Sequence, residues 1–175
     1  MKKLLFVSLF MFALSALFAQ VNKVEVSFDF TRQAGFATNQ FAVWVENAQG
    51  KHIKTLYATR FTATGGWKKR ELSLPLWVKQ SNLADIDKAR IDAITGPTPK
   101  NGTLRYNWDG KDSAGQTLAN GEYRIFVEAT LRNENRVLYT AVVKLGEKGQ
   151  SAAQAQYFGP GAAERGMIGP VTVIY

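Results

Sequence analysis

The chain has 175 residues, with 22 lysines and arginines, 14 aspartates and glutamates, one histidine and no cysteine. The lack of cysteine excludes disulfides, thiolate catalysis, iron–sulfur clusters and a lipid anchored on a cysteine. The basic residues are scattered and form no motif of a nucleic-acid reader, so the excess of positive charge does not predict nucleic-acid binding.

An export signal begins the sequence. Lys2 and Lys3 precede the apolar run 4–18, which is followed by a small residue. This pattern is typical of a secretory signal peptide, and about fifteen apolar residues are short for a bilayer-spanning helix. We predict a signal peptide over residues 1–19 and a single mature domain over residues 20–175, periplasmic or secreted and without a transmembrane segment. Removing the two signal lysines lowers the net charge from +8 to +6.

Alternating apolar side chains after the signal predict β-strands that bury one face. The first such segment, residues 24–30, places four apolar side chains on one side and three polar ones on the other. Short strands separated by glycine-bearing turns predict an all-β fold, an antiparallel immunoglobulin-like β-sandwich with one short helical crossover. The strands are expected at residues 24–30, 41–45, 53–59, 103–108, 122–130, 137–145 and 171–175. Residues 137–143 are apolar on both faces, which predicts a central strand.

The connection 67–99 breaks the β pattern. Pro75 and the residues after it predict a short helix that begins at proline. Long connections in compact domains are often functional, so this crossover is a candidate region. A second irregular segment, residues 146–169, is rich in Gly, Ala, Ser and Gln and is expected to be a loose excursion before the last strand.

The crossover ends in DAITGPTP, residues 92–99. This stretch resembles the pattern Asp-x-x-Ser/Thr-Gly-Ala-Thr, at whose final threonine a flavin transferase attaches FMN in exported bacterial electron-transfer proteins. The resemblance implies a covalent FMN on Thr98, with Asp92, Thr95 and Gly96 at the matching positions. On this interpretation the residues form a cofactor-binding segment.

A second interpretation of the same residues is a simple turn. Pro97 stands where the pattern has alanine, and proline removes a backbone N–H and fixes φ. The residues also have strong turn chemistry, which would end a strand at Ile94 and lead into the next one. If FMN is attached, Trp67, Trp77 and Trp108 are candidates to stack on its ring, and otherwise they are core aromatics. Both interpretations stay open.

The stretch WDGKDSAGQTLANGEYRIFVEA, residues 108–129, has the residue types of turns and strands, which predicts a structural role. Glycine-bearing turns alternate with strand residues, and Tyr123 follows a corner, where its hydroxyl is expected to bond to upstream backbone. The stretch resembles the immunoglobulin-like domain of flagellar hook-capping proteins. Asp109 and Asp112 suggest a calcium loop, but Lys111 occupies the third position, where calcium needs an oxygen ligand, so we predict no metal site.

No catalytic set emerges from the remaining polar residues. The one histidine, His52, is expected to be an exposed strand residue, and a Ser-His-Asp triad cannot be built around it. Asp85 and Asp87 lie in a charged connection, where carboxylates are usually solvated. We therefore predict no catalytic residues and no enzyme activity.

Four stretches together, residues 41–60, 74–77, 92–99 and 108–129, resemble in the same order an uncharacterised bacterial family of predicted periplasmic proteins. Members are often encoded near flavin transferases and PepSY proteins, which implies a place in an exported redox or iron-linked system. The resemblance implies a non-enzymatic binding or scaffolding accessory with an envelope protein partner. The alternative is an electron carrier with FMN attached at Thr98 by a flavin transferase.

Overall fold

The computed structural model describes residues 23–36 and 39–175, and the predicted signal peptide, residues 1–19, lies outside them. Within the described residues the strands are β1 (Val24–Phe30), β2 (Gln40–Asn47), β3 (His52–Thr59), β4 (Thr95–Gly96), β5 (Gly102–Trp108), β6 (Gly121–Arg132), β7 (Asn135–Leu145), β8 (Gln150–Ala152), β9 (Gln154–Phe158) and β10 (Thr172–Ile174). Three α-helices lie between β3 and β4: α1 (Arg60–Ala63), α2 (Pro75–Gln80) and α3 (Lys88–Ile94).

The described strands form two sheets, in the orders β5-β1-β10-β8 and β4-β3-β2-β6-β7-β9. The pairings are antiparallel except the short one between β3 and β4. The apolar faces of the two sheets share one core, in which Val26 of β1 and Val127 of β6 are both completely buried. The mostly β, two-sheet architecture is therefore confirmed, whereas the immunoglobulin-like strand arrangement stays a prediction.

The strand expected to be central is not central. In β7 burial alternates from residue to residue, and the strand lies next to the edge strand β9. The strands buried on both faces are β2 and much of β6, which lie at the middle of the six-stranded sheet. On the outer face of β7, Leu138 is only partly buried where it packs against the second core, and Val142 is exposed.

The segment 146–169 is not the loose excursion that its composition predicts. It contains β8 and β9, and β9 pairs with β7 from Arg136↔Phe158 to Thr140↔Gln154. Beyond β9, Met167 and Ile168 are buried in the core. Small and polar residues hide the strand character because both strands lie at sheet edges, where most of their side chains face solvent.

A helical layer covers the outer face of the six-stranded sheet. It encloses a second core that contains Trp44, Leu74, Trp77 and Phe126, and the rings of Trp44 and Phe126 stack with centroids 5.0 Å apart. The predicted short helix is α2, which begins at Pro75 as expected. The expectation of a single short helix is wrong, because α1 and α3 also form in this connection.

Helix α3 replaces the strand that was expected to end at Ile94. Asp87 is its N-cap, since the carboxylate accepts a hydrogen bond of 2.9 Å from the backbone N–H of Arg90. Such a cap stabilises the first turn and favours helix over strand at this point. The chain then joins the sheet through Thr95–Gly96, which run parallel to the end of β3.

Glu128, a charged residue in the middle of β6, anchors the helical layer. Its side chain is fully buried, and its oxygens accept hydrogen bonds from the backbone N–H groups of Leu76 at 3.2 Å and Trp77 at 2.8 Å. These groups lie in the first turn of α2, where backbone donors have no partner within the helix. Arg136 donates to the same carboxylate at 3.0 Å. Glu128 therefore joins α2 to the sheet.

The stretch 108–129 folds as its residues predict. Trp108 is buried, and its indole N–H donates to the carbonyl oxygen of Lys111 at 2.8 Å. Tyr123 packs edge-on against Trp108 with ring centroids 5.1 Å apart. The Tyr123 hydroxyl donates to the carbonyl oxygen of Ala119 at 2.9 Å, which confirms the expected hydrogen bond from the corner tyrosine to upstream backbone.

Candidate functional site

The base of the TGPTP loop, residues 95–99, is held against one tyrosine of β3. The Tyr57 hydroxyl donates a hydrogen bond of 2.8 Å to the carbonyl oxygen of Pro97. A Cβ atom on Gly96 would lie 2.9 Å from Cε2 of the Tyr57 ring, which is closer than side-chain carbons pack. Burial raises the pKa of Tyr57 to about 12, so the hydroxyl remains a donor at neutral pH. A side chain at residue 96 would therefore displace the Tyr57 ring or the loop.

The residues of the flavin-attachment pattern lie on three different parts of this connection. Asp92 is exposed on α3, Thr95 and Gly96 form β4, and Thr98 is half-buried in the irregular segment that follows. The hydroxyl of Thr95 is buried and has no hydrogen-bond partner among the described residues. The structure thus keeps Thr95 and Gly96 together at the base of the loop and places Asp92 on a helix instead of in the loop.

Beside this loop, a cleft of about 310 Å³ opens between β3, α3 and β5. Lys54 of β3 and Arg90 of α3 contribute its basic side chains. The remaining lining residues are apolar or uncharged: His52, Thr55, Leu56, Ile86, Ala93, Ile94, Asn107 and Ser113. Ala93 and Ile94 belong to the DAITGPTP stretch, so the stretch forms one wall of the cleft.

His52 is a half-buried residue of this cleft, not the exposed strand residue that the sequence predicts. Its Nε2 lies 2.9 Å from the hydroxyl oxygen of Thr55, which also accepts a hydrogen bond of 3.0 Å from the indole N–H of Trp77. Burial, and secondly the nearby Arg90, lower the pKa of His52 to about 4. The imidazole is therefore neutral at neutral pH. The Thr55 hydroxyl, with one proton and two lone pairs, thus joins the imidazole of His52 to the indole of Trp77.

The two cations of the cleft differ in how they are compensated. Lys54 donates a hydrogen bond of 3.0 Å to Asp109 and forms an ion pair with it. The small burial of Asp109 raises its pKa, but the bonds from Lys54 and from the backbone of Lys111 outweigh this and lower it. Arg90 has no ion-pair partner within residues 23–36 and 39–175. The cleft therefore presents an uncompensated positive charge on its α3 side.

The tryptophans proposed to stack on a flavin are mostly unavailable. Trp77 and Trp108 are both 0% exposed, the first in the helical layer and the second in the main core. Trp67 is half-buried, and the ammonium group of Lys68 lies 5.4 Å from its ring centroid. Large aromatic side chains are buried here because they fill the two cores.

In the acidic loop after β5, Asp112 stabilises the turn in which it lies. One oxygen of Asp112 accepts hydrogen bonds of 2.9 Å from the backbone N–H groups of both Ala114 and Gln116. Over the part of the chain that the structure describes, no group of three or more histidine, cysteine, aspartate or glutamate side chains is placed to hold a metal ion.

Sequence reasoning missed the cleft and the anchoring carboxylate. Lys54 and Arg90 are far apart in the sequence and meet only through the packing of α3 against β3. No local pattern connects them. Glu128 did leave a signal, because it is a single acidic residue within the otherwise apolar run 125–129. A charge in such a run indicates a buried partner.

Comparison with known proteins identifies the family. Residues 21–160 match the family described as predicted periplasmic protein (DUF2271). No curated protein and no solved structure matches the chain significantly. None of the helices within the described residues has the length and apolar character to cross a membrane. Because the match extends over most of its length, the chain belongs to this family of predicted periplasmic proteins.

Proposed function

We propose that the protein is a non-enzymatic binding or scaffolding domain of the periplasm, whose cleft between β3, α3 and β5 receives an anionic group of an envelope protein partner. One observation supports this most directly. Lys54 and Arg90 reach the cleft from two different elements, and no acidic side chain lines it. The positive net charge of the mature chain favours the approach of an acidic partner by long-range attraction.

The chemistry of the cleft suits recognition of a carboxylate or phosphate. Arg90 offers a planar set of donors that matches either group, and Lys54 is a second cation of the cleft, with part of its charge compensated by Asp109. His52, neutral at neutral pH, also lines the cleft, and Asn107 and Ser113 add uncharged polar groups at the β5 side. These groups bind an anion without needing to transfer a proton.

The positions of the perturbed acids and bases also favour binding over catalysis. Burial raises the pKa of both Glu46 and Glu128 and lowers that of His52. The three residues have separate structural partners: Glu46 accepts from the Trp44 indole at 2.8 Å, Glu128 caps α2, and His52 bonds to Thr55. Nucleophilic catalysis requires a base held against a nucleophile. Glu46, Glu128 and His52 instead make hydrogen bonds that stabilise the fold.

The kind of system that the partner belongs to follows from the family resemblance alone. The resemblance implies a gene neighbourhood with flavin transferases and PepSY proteins, and on that basis we propose an exported redox or iron-linked system. In that setting the domain would dock an acidic segment of a membrane-bound partner. The immunoglobulin-like character expected from the corner at Tyr123 fits such a docking role, since similar sandwiches serve as binding modules.

The binding proposal is tested by titrating isotope-labelled mature protein with a hexaglutamate peptide and following backbone amide shifts. We expect shifts confined to residues around His52, Lys54, Arg90 and Asn107, with weaker binding at higher salt. Arg90→Glu should weaken the binding at least about tenfold, because it reverses the uncompensated charge. Lys88→Glu is the matched control, because it makes the same charge change on an exposed residue of α3 outside the cleft. Equal effects of the two variants, or shifts spread over the surface, would reject the cleft as the site.

The second candidate function is an electron carrier with FMN on Thr98. Two observations support it. The loop is fixed at its base by Tyr57 and leaves Thr98 in an irregular, partly exposed segment. Ala93 and Ile94 of the same stretch line the cleft to which Arg90 contributes a positive charge, and a phosphodiester or a reduced flavin would bring negative charge.

The attachment step balances as a phosphoryl transfer. The hydroxyl oxygen of Thr98 attacks the FMN phosphorus of FAD, the pyrophosphate bond breaks, AMP leaves, and the hydroxyl proton passes to a base of the transferase. Intact mass of the exported protein, made together with an active flavin transferase, tests this. A mass gain equal to one FMN unit in native protein and in Thr98→Ser, with none in Thr98→Ala, supports the candidate. Native protein of unmodified mass rejects it.

A further inference from the structure

The outer edge of β9 is open. β9 ends the six-stranded sheet and pairs on one side only, with β7. Four of its five residues are exposed, including Tyr157 with a relative exposure of 43%. Among the described elements none pairs with the other side of the strand. The backbone N–H and C=O groups on that side are therefore available to another strand.

The other edge strands, unlike β9, have features that hinder pairing with another chain. β4 has two residues and lies beside α3, and β8 has three residues. β5 carries the exposed Arg105, which pairs with Glu25 at 3.4 Å. Natural sheets protect their edges in this manner, with short strands, charges or covering elements. In contrast, residues 150–158 contain no charged residue and no proline.

A second copy of this chain is the occupant that fits the edge. The mature chain is positively charged, so two copies repel each other wherever their lysines and arginines meet. The uncharged stretch 150–158 lets two copies approach without placing like charges opposite each other. A self-complementary patch is also what a two-fold dimer requires.

The residues of β9 also fit a pairing with themselves. Antiparallel pairing centred on Gln156 places Gln156 opposite Gln156 of the second copy, so that the two side-chain amides face each other. The same register places Tyr157 opposite the small Ala155, and Gln154 opposite Phe158, on both halves of the interface. Large side chains thus meet small or flexible ones, and the amides of the central pair can exchange hydrogen bonds.

We propose that two copies of the protein associate through antiparallel pairing of their β9 strands about Gln156, which joins the two six-stranded sheets into one continuous sheet. The interface involves one short strand from each copy and is small, so the association is of the weak, reversible class. Strand addition of this kind takes its affinity from backbone hydrogen bonds and its register from the side chains. The proposal does not depend on the cleft.

Sedimentation equilibrium of the mature protein tests the proposal at concentrations up to about 1 mM, where even weak dimers are populated. We expect a concentration-dependent mass that approaches twice that of one chain. Gln156→Lys and Gln156→Glu should each raise the dissociation constant at least about tenfold, because like charges meet on the two-fold axis. Mixing the two variants should restore the dimer, since Lys then faces Glu. Val142→Lys, on the neighbouring strand β7, should leave the dimer unchanged.

A crosslink gives an independent readout, because the native chain contains no cysteine. Opposed residues of an antiparallel pair lie about 4.5 to 5.5 Å apart at Cα, which suits a disulfide. Under mild oxidation Gln156→Cys should form a covalent dimer much faster than Val142→Cys. A native protein that is monomeric at the highest concentration overturns the proposal. So does a dimer that tolerates both Gln156→Lys and Gln156→Glu, or equal crosslinking of the two cysteine variants.

Discussion

The carboxylate of Glu128 in β6 accepts a 2.8 Å hydrogen bond from the backbone N–H of Trp77 in α2, from a position where neither residue is exposed to solvent. The bond connects a central strand to the first turn of a six-residue helix, which is too short to be stable alone. Glu128 therefore helps to position the helical layer, together with the second core and the hydrogen bond between Trp77 and Thr55.

We predict that Glu128→Ala destabilises the fold by about 3–5 kcal/mol, because it leaves Arg136 without its ion pair, and the buried N–H of Trp77 and the partly buried N–H of Leu76 without acceptors. Glu128→Gln should cost less, since its amide oxygen still accepts one of these bonds. Urea unfolding measures both. Glu122→Ala, an exposed acid of the same strand, is the control and should change stability by less than about 0.5 kcal/mol.

Gly96→Ala should destabilise the protein by about 1–3 kcal/mol, because the added methyl group collides with the Tyr57 ring. Tyr57→Phe removes only the hydrogen bond to Pro97 and should cost about 1 kcal/mol. Thermal unfolding distinguishes the two effects. A neutral Gly96→Ala would show that the loop does not pack on the ring. Gly102→Ala provides a comparison in which the strain comes from a φ of 137° and no atom lies near the added Cβ.

Stability should decrease as the pH falls from 6.5 towards 4 because of His52. The pKa of His52 is about 4 in the fold and 6.5 in its ordinary state, so within this window the unfolded chain binds a proton that the folded chain does not. The contribution is fully present above pH 6.5. With allowance for partial exposure, the loss is on the order of 2 kcal/mol.

His52→Gln removes this titration and keeps a side chain that can either donate to or accept from the Thr55 hydroxyl. The difference in unfolding free energy between native protein and variant, measured by urea unfolding from pH 7 to pH 4, isolates the histidine from the titrating carboxylates. We expect the variant to lose less stability on acidification. Parallel curves for the two proteins would contradict a neutral, buried imidazole.

Tyr123→Phe should cost about 1–1.5 kcal/mol, because the bond to the Ala119 carbonyl oxygen closes the corner between two strands. Tyr157→Phe is the matched control. Its hydroxyl lies 3.3 Å from that of Tyr139, which also donates to the carbonyl oxygen of Ile168. The control should therefore change the melting temperature little. If both variants have the same melting temperature, the hydrogen bond between Tyr123 and Ala119 does not contribute the expected stability.

The sequence predicted those parts of the fold that depend on local patterns. Alternation over residues 24–30 indicated β1, Pro75 indicated the start of α2, and Tyr123 indicated a hydrogen-bonded corner. Residues 150–158 gave no such signal, because an edge strand can be built from small and polar residues. Ile94 was expected to end a strand, but Asp87 caps a helix that begins at Lys88 and ends at Ile94.

The candidate site was predicted only in part. The TGPTP loop could be recognised because its residue types limit the backbone, and the structure explains its glycine through Tyr57, a contact that no local pattern reveals. The cleft could not be recognised, since Lys54 and Arg90 come together by tertiary packing. Burial of Trp77 and Trp108 depended in the same way on which surfaces the helical layer covers.

The single residue Ala153 separates β8, in one sheet, from β9, in the other. Because this one residue connects a strand of each sheet, β8 cannot separate from its sheet without displacing β9 in the other. Amide protons of the strands that pair with β8 and β9, such as those of Val173 and Leu138, should then exchange with solvent at similar rates, in one shared opening event. The two sheets would in that case lose their structure together, as a single cooperative unit.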